Sequence, residues 1–262
     1  DATVEELLTE SEQVLQRYAP DPPYQHLGAI FHSFRFQYYH QQGLERKAAQ
    51  AWDELQPKLL PLLTRYPHLL FGPQLLSSFL DWALAQGDTS RTQALCQQLA
   101  ALEEQPQPQQ HAQFVQWYYN LAVARLQLRQ LPEARRYLNQ IRNEIPMKKY
   151  PFRDIEVKLF LALIYCLENE GELSRQLLAS VQRQIRQQPE PKAYANASAF
   201  ARVVGISIGN GIAARHPDLP DLIAHFEACN RGPYRMLTFF EQPAWYRPQL
   251  ALAVKEPQAA HR

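Results

Sequence analysis

Four turn signals at near-constant spacing constrain how this chain can fold. They centre on Gly43, Gly87, Arg129 in Leu128-Arg-Gln-Leu-Pro132, and Gly171, and they lie 44, 42 and 42 residues apart. Each follows a run rich in leucine or aromatic residues and precedes a second amphipathic run, a pattern typical of stacked helical hairpins. One hairpin buries its apolar face only against its neighbours, so the pattern predicts an all-α fold built as a curved solenoid.

The periodicity predicts five hairpins between a first helix and a short capping segment. The predicted segments are 2–18, 24–41 with 45–66, 73–86 with 89–102, 111–129 with 132–144, 153–169 with 172–187, 192–215 with 219–230, and 233–241. Pro57 and Pro61 are expected to kink or split the helix that contains them, because proline removes a backbone donor and clashes with the preceding turn. We therefore predict one domain over residues 1–241 and a loose tail over 242–262.

The third hairpin carries a recognisable repeat pattern. Its large and small residues follow in the order Tyr118, Leu121, Ala122, Ala134, Leu138 and Ile141. This spacing resembles a tetratricopeptide repeat (TPR), from which Arg125 departs at a position that is normally aromatic. The first hairpin matches this pattern at Tyr39, Gly43, Ala48, Trp52 and Leu55. It departs from the pattern at Phe36, where a small residue is usual. The second hairpin matches clearly only at Gly87 and Leu99.

Over residues 24–200 the order of hairpins resembles the C-terminal part of uncharacterised bacterial TPR-like proteins. Their last repeats have a helix with an aspartate near its start, followed by a helix that contains a Leu-Leu pair. In this sequence Asp154 and Leu177-Leu178 match these two features. TPR-like folds are mostly protein-interaction scaffolds, so the resemblance implies a scaffold that binds a protein or an extended peptide.

The residues proposed for that binding are aromatic and basic. A two-layer solenoid cannot bury every side of a helix as aromatic as these, so some rings should lie on the open surface. If exposed, Tyr38, Trp117 and Tyr118 are the predicted lining of a peptide groove, with Arg125 and Arg129 beside them, since aromatic residues and arginine dominate interface hot spots.

Charge is distributed unevenly and raises two alternatives. Residues 1–104 carry 13 acids and 7 bases, whereas residues 105–262 carry 13 acids and 20 bases. The basic segment 125–158 could bind nucleic acid, with a patch formed by Arg135, Arg136, Lys148 and Lys149. The opposite charges could instead join copies head to tail in a larger assembly.

No pattern indicates catalysis. Gly209-Asn-Gly211-Ile-Ala-Ala214 follows a β-branched run, but a dinucleotide site would need a strand there and an acidic residue about 20 positions on. His225 and Cys229 have the i, i+4 spacing of two metal ligands, too few for a zinc site. We therefore expect a non-enzymatic protein without cofactor or metal.

Cellular location is only weakly constrained. No run approaches the roughly 20 apolar residues that a membrane helix needs. Cys96, Cys166 and Cys229 lie far apart in apolar runs, which is typical of reduced thiols. Cytoplasm is the expected compartment, and because the sequence does not begin with Met we expect a fragment or a processed product.

Overall fold

The structure of the chain is a computed structural model that describes residues 2–18, 22–65, 72–86, 89–101, 111–208, 217–231, 235–241 and 246. Over these residues the chain is helical and has no strand, which confirms the all-α prediction. The helices are α1 Ala2–Arg17, α2 Pro22–Gln41, α3 Glu45–Arg65, α4 Gly72–Ala85, α5 Thr89–Ala101, α6 His111–Gln127, α7 Leu131–Glu144, α8 Pro151–Leu167, α9 Gly171–Arg186, α10 Ala195–Ser207 and α11 Leu219–Cys229. Short 3₁₀ helices cover Met147–Lys149, Pro191–Tyr194 and Thr238–Glu241. None of the described helices is long and apolar enough to cross a lipid bilayer.

The helices pack as successive pairs. The most extensive contacts join α2 to α3, α6 to α7, α8 to α9 and α10 to α11, while α4 contacts both α5 and α6. Neighbouring pairs touch through α5 and α6, α7 and α8, and α8 and α10. The curved solenoid itself stays a prediction.

Helix α3 runs without interruption through Pro57 and Pro61. Of the two expected effects, a split at these prolines is therefore wrong, and a kink stays a prediction. Each proline costs up to about 3 kcal/mol in a helix interior. Packing of the same helix offsets that cost, because Trp52 and Leu55 are completely buried.

Three hairpins share one turn conformation. Gly43, Arg129 and Asn169 have positive φ angles of 67°, 60° and 63°. In each turn the next residue donates its N–H to a carbonyl five residues earlier, at 2.9, 2.9 and 2.8 Å respectively. This is the left-handed C-cap that ends many helices. The fourth turn signal is therefore centred on Asn169, two residues before the position predicted.

Gly171 has a different role from the one predicted. It is the first residue of α9, and a Cβ atom there would lie 2.9 Å from Cγ2 of Ile208. The glycine is thus explained by the close approach of Ile208, the C-cap residue of α10.

The second helices of the hairpins bury residues at the same distances from the turn. Positions 5, 9 and 12 after the turn residue are buried in all three hairpins: Ala48, Trp52 and Leu55; Ala134, Leu138 and Ile141; Ser174, Leu178 and Val181. Counted from Gly87, which lies outside the described residues, Thr92, Cys96 and Leu99 occupy the same positions and are also buried. The internal repeat seen in the sequence therefore has a common packing register.

Phe36 shows how the first hairpin accommodates its departure from the repeat pattern. Ala122 and Ala162 hold the corresponding position in later hairpins, and all three are fully buried. The Phe36 ring packs against Phe79 of α4 at 4.7 Å and against Trp82 at 5.5 Å. The larger ring thus becomes part of the contact with the next hairpin.

Candidate functional site

A segment near the C-terminus covers one face of the helix stack. This C-terminal segment comprises residues 235–241 and Tyr246. Asn230, just after α11, donates from Nδ2 to the Met236 carbonyl at 2.8 Å and accepts the Met236 N–H at Oδ1 at 3.0 Å. Asn196 donates to the same Oδ1 atom at 2.8 Å. A buried pair of asparagines therefore holds the main chain where the segment begins.

The next main-chain contact involves a buried carboxylate on α8. Glu156 is 3% exposed, and its Oε1 atom accepts the Leu237 N–H at 2.9 Å and the Tyr119 hydroxyl at 3.1 Å. Its Oε2 atom accepts from Arg153 Nη1 at 2.6 Å. Leu237 has a φ of 51°, so its amide is held in a left-handed conformation that few leucines adopt.

The electrostatics of this cluster favour the arrangement. Burial, followed by the negative charge of Glu156, raises the pKa of the Tyr119 hydroxyl well above its ordinary value of 10. The same carboxylate raises the pKa of the Arg153 guanidinium. Tyr119 therefore stays a neutral donor and Arg153 stays cationic, and both donate to the Glu156 carboxyl group.

Aromatic packing extends the contact over several helices. Phe239 lies 4.5 Å from Phe160 of α8, measured between ring centroids, and Phe240 lies 4.8 Å from Phe200 of α10. Thr238 donates to Asp81 of α4 at 3.0 Å. The segment therefore spans from α4 to α10.

This contact makes the C-terminal segment part of the core. Its five large apolar side chains are at most 1% exposed: Met236, Leu237, Phe239, Phe240 and Tyr246. Burying them contributes roughly 10 kcal/mol of apolar transfer free energy, which the entropy cost of ordering the segment partly offsets. The buried segment occupies this face, so the face is not an open groove. Tyr246 belongs to the predicted loose tail 242–262, whose other residues lie outside the described part of the chain.

Two of the predicted groove residues are core residues. Trp117 and Tyr118 are 8% and 5% exposed. The Tyr118 ring packs on Phe114 at 4.3 Å, and its hydroxyl accepts a hydrogen bond from Gln140 at 3.3 Å. The prediction that they bind a partner required exposed rings, and neither ring is exposed.

The other three predicted partner-binding residues are divided between two hairpins, Tyr38 on the first and Arg125 and Arg129 on the α6–α7 hairpin. Tyr38 is partly exposed on α2, with its ring 5.6 Å from that of Tyr39. Arg125, on α6, donates to Gln130 at 2.7 Å. Arg129 is exposed in the turn that follows. Of the three, only Tyr38 lies on the helix pair formed by α1 and α2.

The predicted basic patch is partly neutralised within the chain. Arg135 pairs with Glu168 at 3.2 Å, whereas Arg136 is exposed. Lys148 and Lys149 are exposed in the 3₁₀ helix after α7.

Two further bases of segment 125–158 also have acidic partners. Arg153 pairs with Glu156, and Lys158 pairs with Asp154 at 2.6 Å. The segment therefore offers phosphates less positive charge than its composition predicts.

Exposed apolar side chains concentrate at the other end of the chain. Among the described residues the most exposed large apolar side chains are Leu7 (58%), Phe34 (57%), Val14 (51%), Tyr18 (46%), Leu27 (43%), Leu173 (41%) and Leu44 (38%). Five of the seven belong to α1, to α2 or to the residue that follows α1. We call Leu7, Val14, Tyr18, Leu27 and Phe34 the α1–α2 surface.

The α1–α2 surface consists of two regular rows. Leu7 and Val14 are seven residues apart on α1, and Leu27 and Phe34 are seven apart on α2, so each pair lies on one helix face about 10 Å apart. Tyr38 continues the α2 row one turn further. The spacing is visible in the sequence, but a buried row has the same spacing, and exposure is decided by what packs against it.

Ion pairs attach α1 to the first hairpin. Arg35 of α2 donates to Glu12 of α1 at 2.8 Å and also to Glu54 of α3. Lys47 of α3 donates to both carboxylate oxygens of Glu5 at 2.6 and 2.7 Å. Helix α1 is therefore fixed to α2 and α3 while its Leu7 and Val14 face stays exposed.

Sequence reasoning missed a group with metal-ligand chemistry at this junction. Within the described part of the chain, Glu12, His32 and Glu54 bring potential ligand atoms within 4.8 Å of one another. The Arg35 guanidinium bonds to both carboxylates and already supplies the positive charge. Burial, then the positive charges of Lys58 and Arg35, lower the pKa of His32. We interpret the group as an ion-pair cluster that joins three helices.

The remaining chemical candidates gain little from the structure. Residues 203–207 belong to helix α10, so the run before the glycines is not a strand, and the glycines at 209 and 211 lie outside the described residues. The His225 Nε2 and Cys229 Sγ atoms are 3.8 Å apart, and the described residues bring no third ligand to them.

Comparison with known proteins adds no relative. No protein-family model matches the sequence, and no curated protein or solved structure matches it either. The TPR resemblance therefore stays a prediction based on the residue pattern.

Proposed function

We propose that the chain is a TPR-like α-solenoid that acts as a non-catalytic protein-interaction scaffold, and that its partner binds at the α1–α2 surface. The observation that carries the proposal is the concentration of exposed apolar side chains on this one helix pair. Exposed large apolar side chains that concentrate on one part of a protein commonly mark a binding site.

The energy available on this surface fits a specific complex. Complete burial of one large apolar side chain contributes about 1.5–3 kcal/mol, so covering the exposed fractions of the five side chains contributes about 4–8 kcal/mol. The ordering cost of association is of similar size. Apolar contact alone therefore gives a weak complex, and the partner must add polar or charged contacts.

Other surfaces offer less to a partner. The face formed by α4, α6, α8 and α10 is covered by the C-terminal segment. Burial of Trp117 and Tyr118 removes the aromatic lining predicted on α6.

We propose the cytoplasm as the compartment, on the sequence evidence of three widely spaced cysteines.

Site-specific photocrosslinking tests the proposed function. A photoreactive phenylalanine analogue replaces Phe34 in one version of the chain and Leu173 in a matched version, because Leu173 is comparably exposed on α9. We expect Phe34 to give a discrete crosslinked protein in source-cell extract, lost when Leu7→Ser is added, and Leu173 to give none. Equal crosslinking at the two positions, or none at Phe34, would contradict the proposal.

A further inference from the structure

We propose that the α1–α2 surface takes one kind of partner segment, an amphipathic α-helix with basic flanking residues. The inference rests on the proposed function, because it names the partner of that same surface. Three features support it: the spacing of the apolar rows, the charge beside them, and the way α1 is anchored.

The spacing of the rows matches a helix better than an extended strand. The exposed side chains on α1 and on α2 repeat at about 10 Å, which equals the distance between residues i and i+7 on a partner helix. Side chains on one face of an extended strand repeat at about 6.6 and 13 Å, which fits neither row. A third helix laid along a helix pair buries its i, i+4, i+7 and i+11 residues, the common helix-in-groove arrangement.

Charge beside the rows favours a basic partner. Glu6 and Glu10 are exposed and lie one turn apart on the same flank of the Leu7–Val14 row. Helix α1 has four glutamates, and its one base, Arg17, lies at its C-terminal end. Residues 27–40 of α2 contribute one charged residue, Arg35, which is buried. The flank of the surface that carries Glu6 and Glu10 is therefore acidic.

Internal ion pairs leave only part of this acidity available. Glu5 is bound to Lys47 and Glu12 to Arg35, whereas the carboxylates of Glu6 and Glu10 face solvent. The partly buried pair between Arg35 and Glu12 also holds α1 in place, so the surface is formed before a partner arrives. Preorganisation of this kind lowers the cost of association.

The same acidity disfavours two other occupants. A second copy joined through this surface about a two-fold axis would bring two acidic α1 helices together, and like charges across an interface oppose association. Anionic lipid headgroups would be repelled for the same reason. The geometry and the charge therefore agree on a basic helix.

A set of synthetic helical peptides tests the inference with the full chain. The first probe has leucine at i, i+4, i+7 and i+11 with lysine or arginine beside them; the second replaces the bases with glutamate; the third keeps the composition of the first but shuffles the leucines. Binding of labelled peptide is followed by fluorescence anisotropy. We expect the first probe to bind at least about tenfold more tightly than the other two, and Phe34→Ser to weaken it by about tenfold or more.

Charge reversal provides the sharpest control. In the double variant Glu6→Lys, Glu10→Lys the preference should shift from the basic to the acidic probe, whereas Leu173→Ser should bind like the unaltered chain. Circular dichroism establishes that each variant is folded. Binding that ignores peptide charge or leucine register, binding to none of the probes, or a dimer that dissociates on Phe34→Ser would each overturn the inference.

Failure of this inference is distinguishable from failure of the proposed function. A partner crosslinked at Phe34 together with no probe binding would keep the scaffold and reject the basic helix. Absence of crosslinks at Phe34 would reject the surface itself.

Discussion

Replacing Glu156 by alanine should destabilise the chain by about 2–5 kcal/mol. The variant leaves the Leu237 N–H and the Tyr119 hydroxyl without their acceptor in a buried site, and each such loss costs about 1–3 kcal/mol. Arg153 contributes less, because its side chain is 40% exposed and can turn to water.

Glu156→Gln should cost less, about 1–2 kcal/mol, because it keeps an oxygen for Leu237 and Tyr119 but places an amide donor opposite Arg153, whose guanidinium can turn to water. Glu172→Gln is the matched control. Glu172 forms a pair of the same i, i+3 spacing with Arg175, but at the surface, where the effect should not be measurable.

Urea unfolding gives the loss of stability, and amide hydrogen exchange locates it. The Leu237 amide should exchange much faster in Glu156→Ala than in the unaltered chain, because opening of the C-terminal segment exposes it. If Glu156→Ala costs less than about 1 kcal/mol, or if exchange at Leu237 is unchanged, then Glu156 does not hold this segment.

Three further predictions concern the helix junctions. In the folded chain the pKa of His32 lies below its ordinary value of 6.5. At pH values between the folded and the ordinary pKa the unfolded chain binds more protons, so stability should fall as the pH is lowered. When urea unfolding is measured at a series of pH values, the unfolding free energy of His32→Gln should depend less steeply on pH than that of the unaltered chain. Arg35→Ala should cost about 1–3 kcal/mol and speed hydrogen exchange across α1, whereas Lys47→Ala, which removes an exposed pair, should change neither measurement. Gly171→Ala should lower stability in thermal unfolding by about 1–2 kcal/mol, because the new methyl group overpacks the site. Gly205→Ala should raise stability by up to about 1 kcal/mol, because its new methyl group makes only an ordinary van der Waals contact and alanine favours the helix. Equal shifts for the two glycine variants would contradict the close approach at Gly171.

Local pattern was enough to predict the helices. Apolar periodicity and turn residues are properties of short stretches, and the predicted bounds of α7, 132–144, differ from the observed Leu131–Glu144 by one residue. The error at Gly171 has a physical cause. Glycine serves both positive φ angles and close approach, and the sequence alone does not tell which of the two applies. Asparagine, as at position 169, adopts the left-handed conformation more readily than most other residues.

The candidate surface was less predictable. Phe34 and Trp117 both lie in aromatic runs at helical spacing, yet the first is half exposed and the second is buried. The difference depends on tertiary contacts made by distant parts of the chain. The covering of α4, α6, α8 and α10 by residues 235–241 gave no local signal, since the bonds of this segment join Leu237 to Glu156 and Thr238 to Asp81.

The bond from Thr238 to Asp81 joins residues 157 positions apart in the chain. A stack of hairpins held only by neighbour contacts can fray from either end, one repeat after another. The segment that runs from the last helices back to the second hairpin joins repeats that are not neighbours, so its release exposes core at α4, α8 and α10 at once. The chain should therefore unfold more cooperatively than its repeats suggest, and form its last contacts slowly, because they close the longest loops.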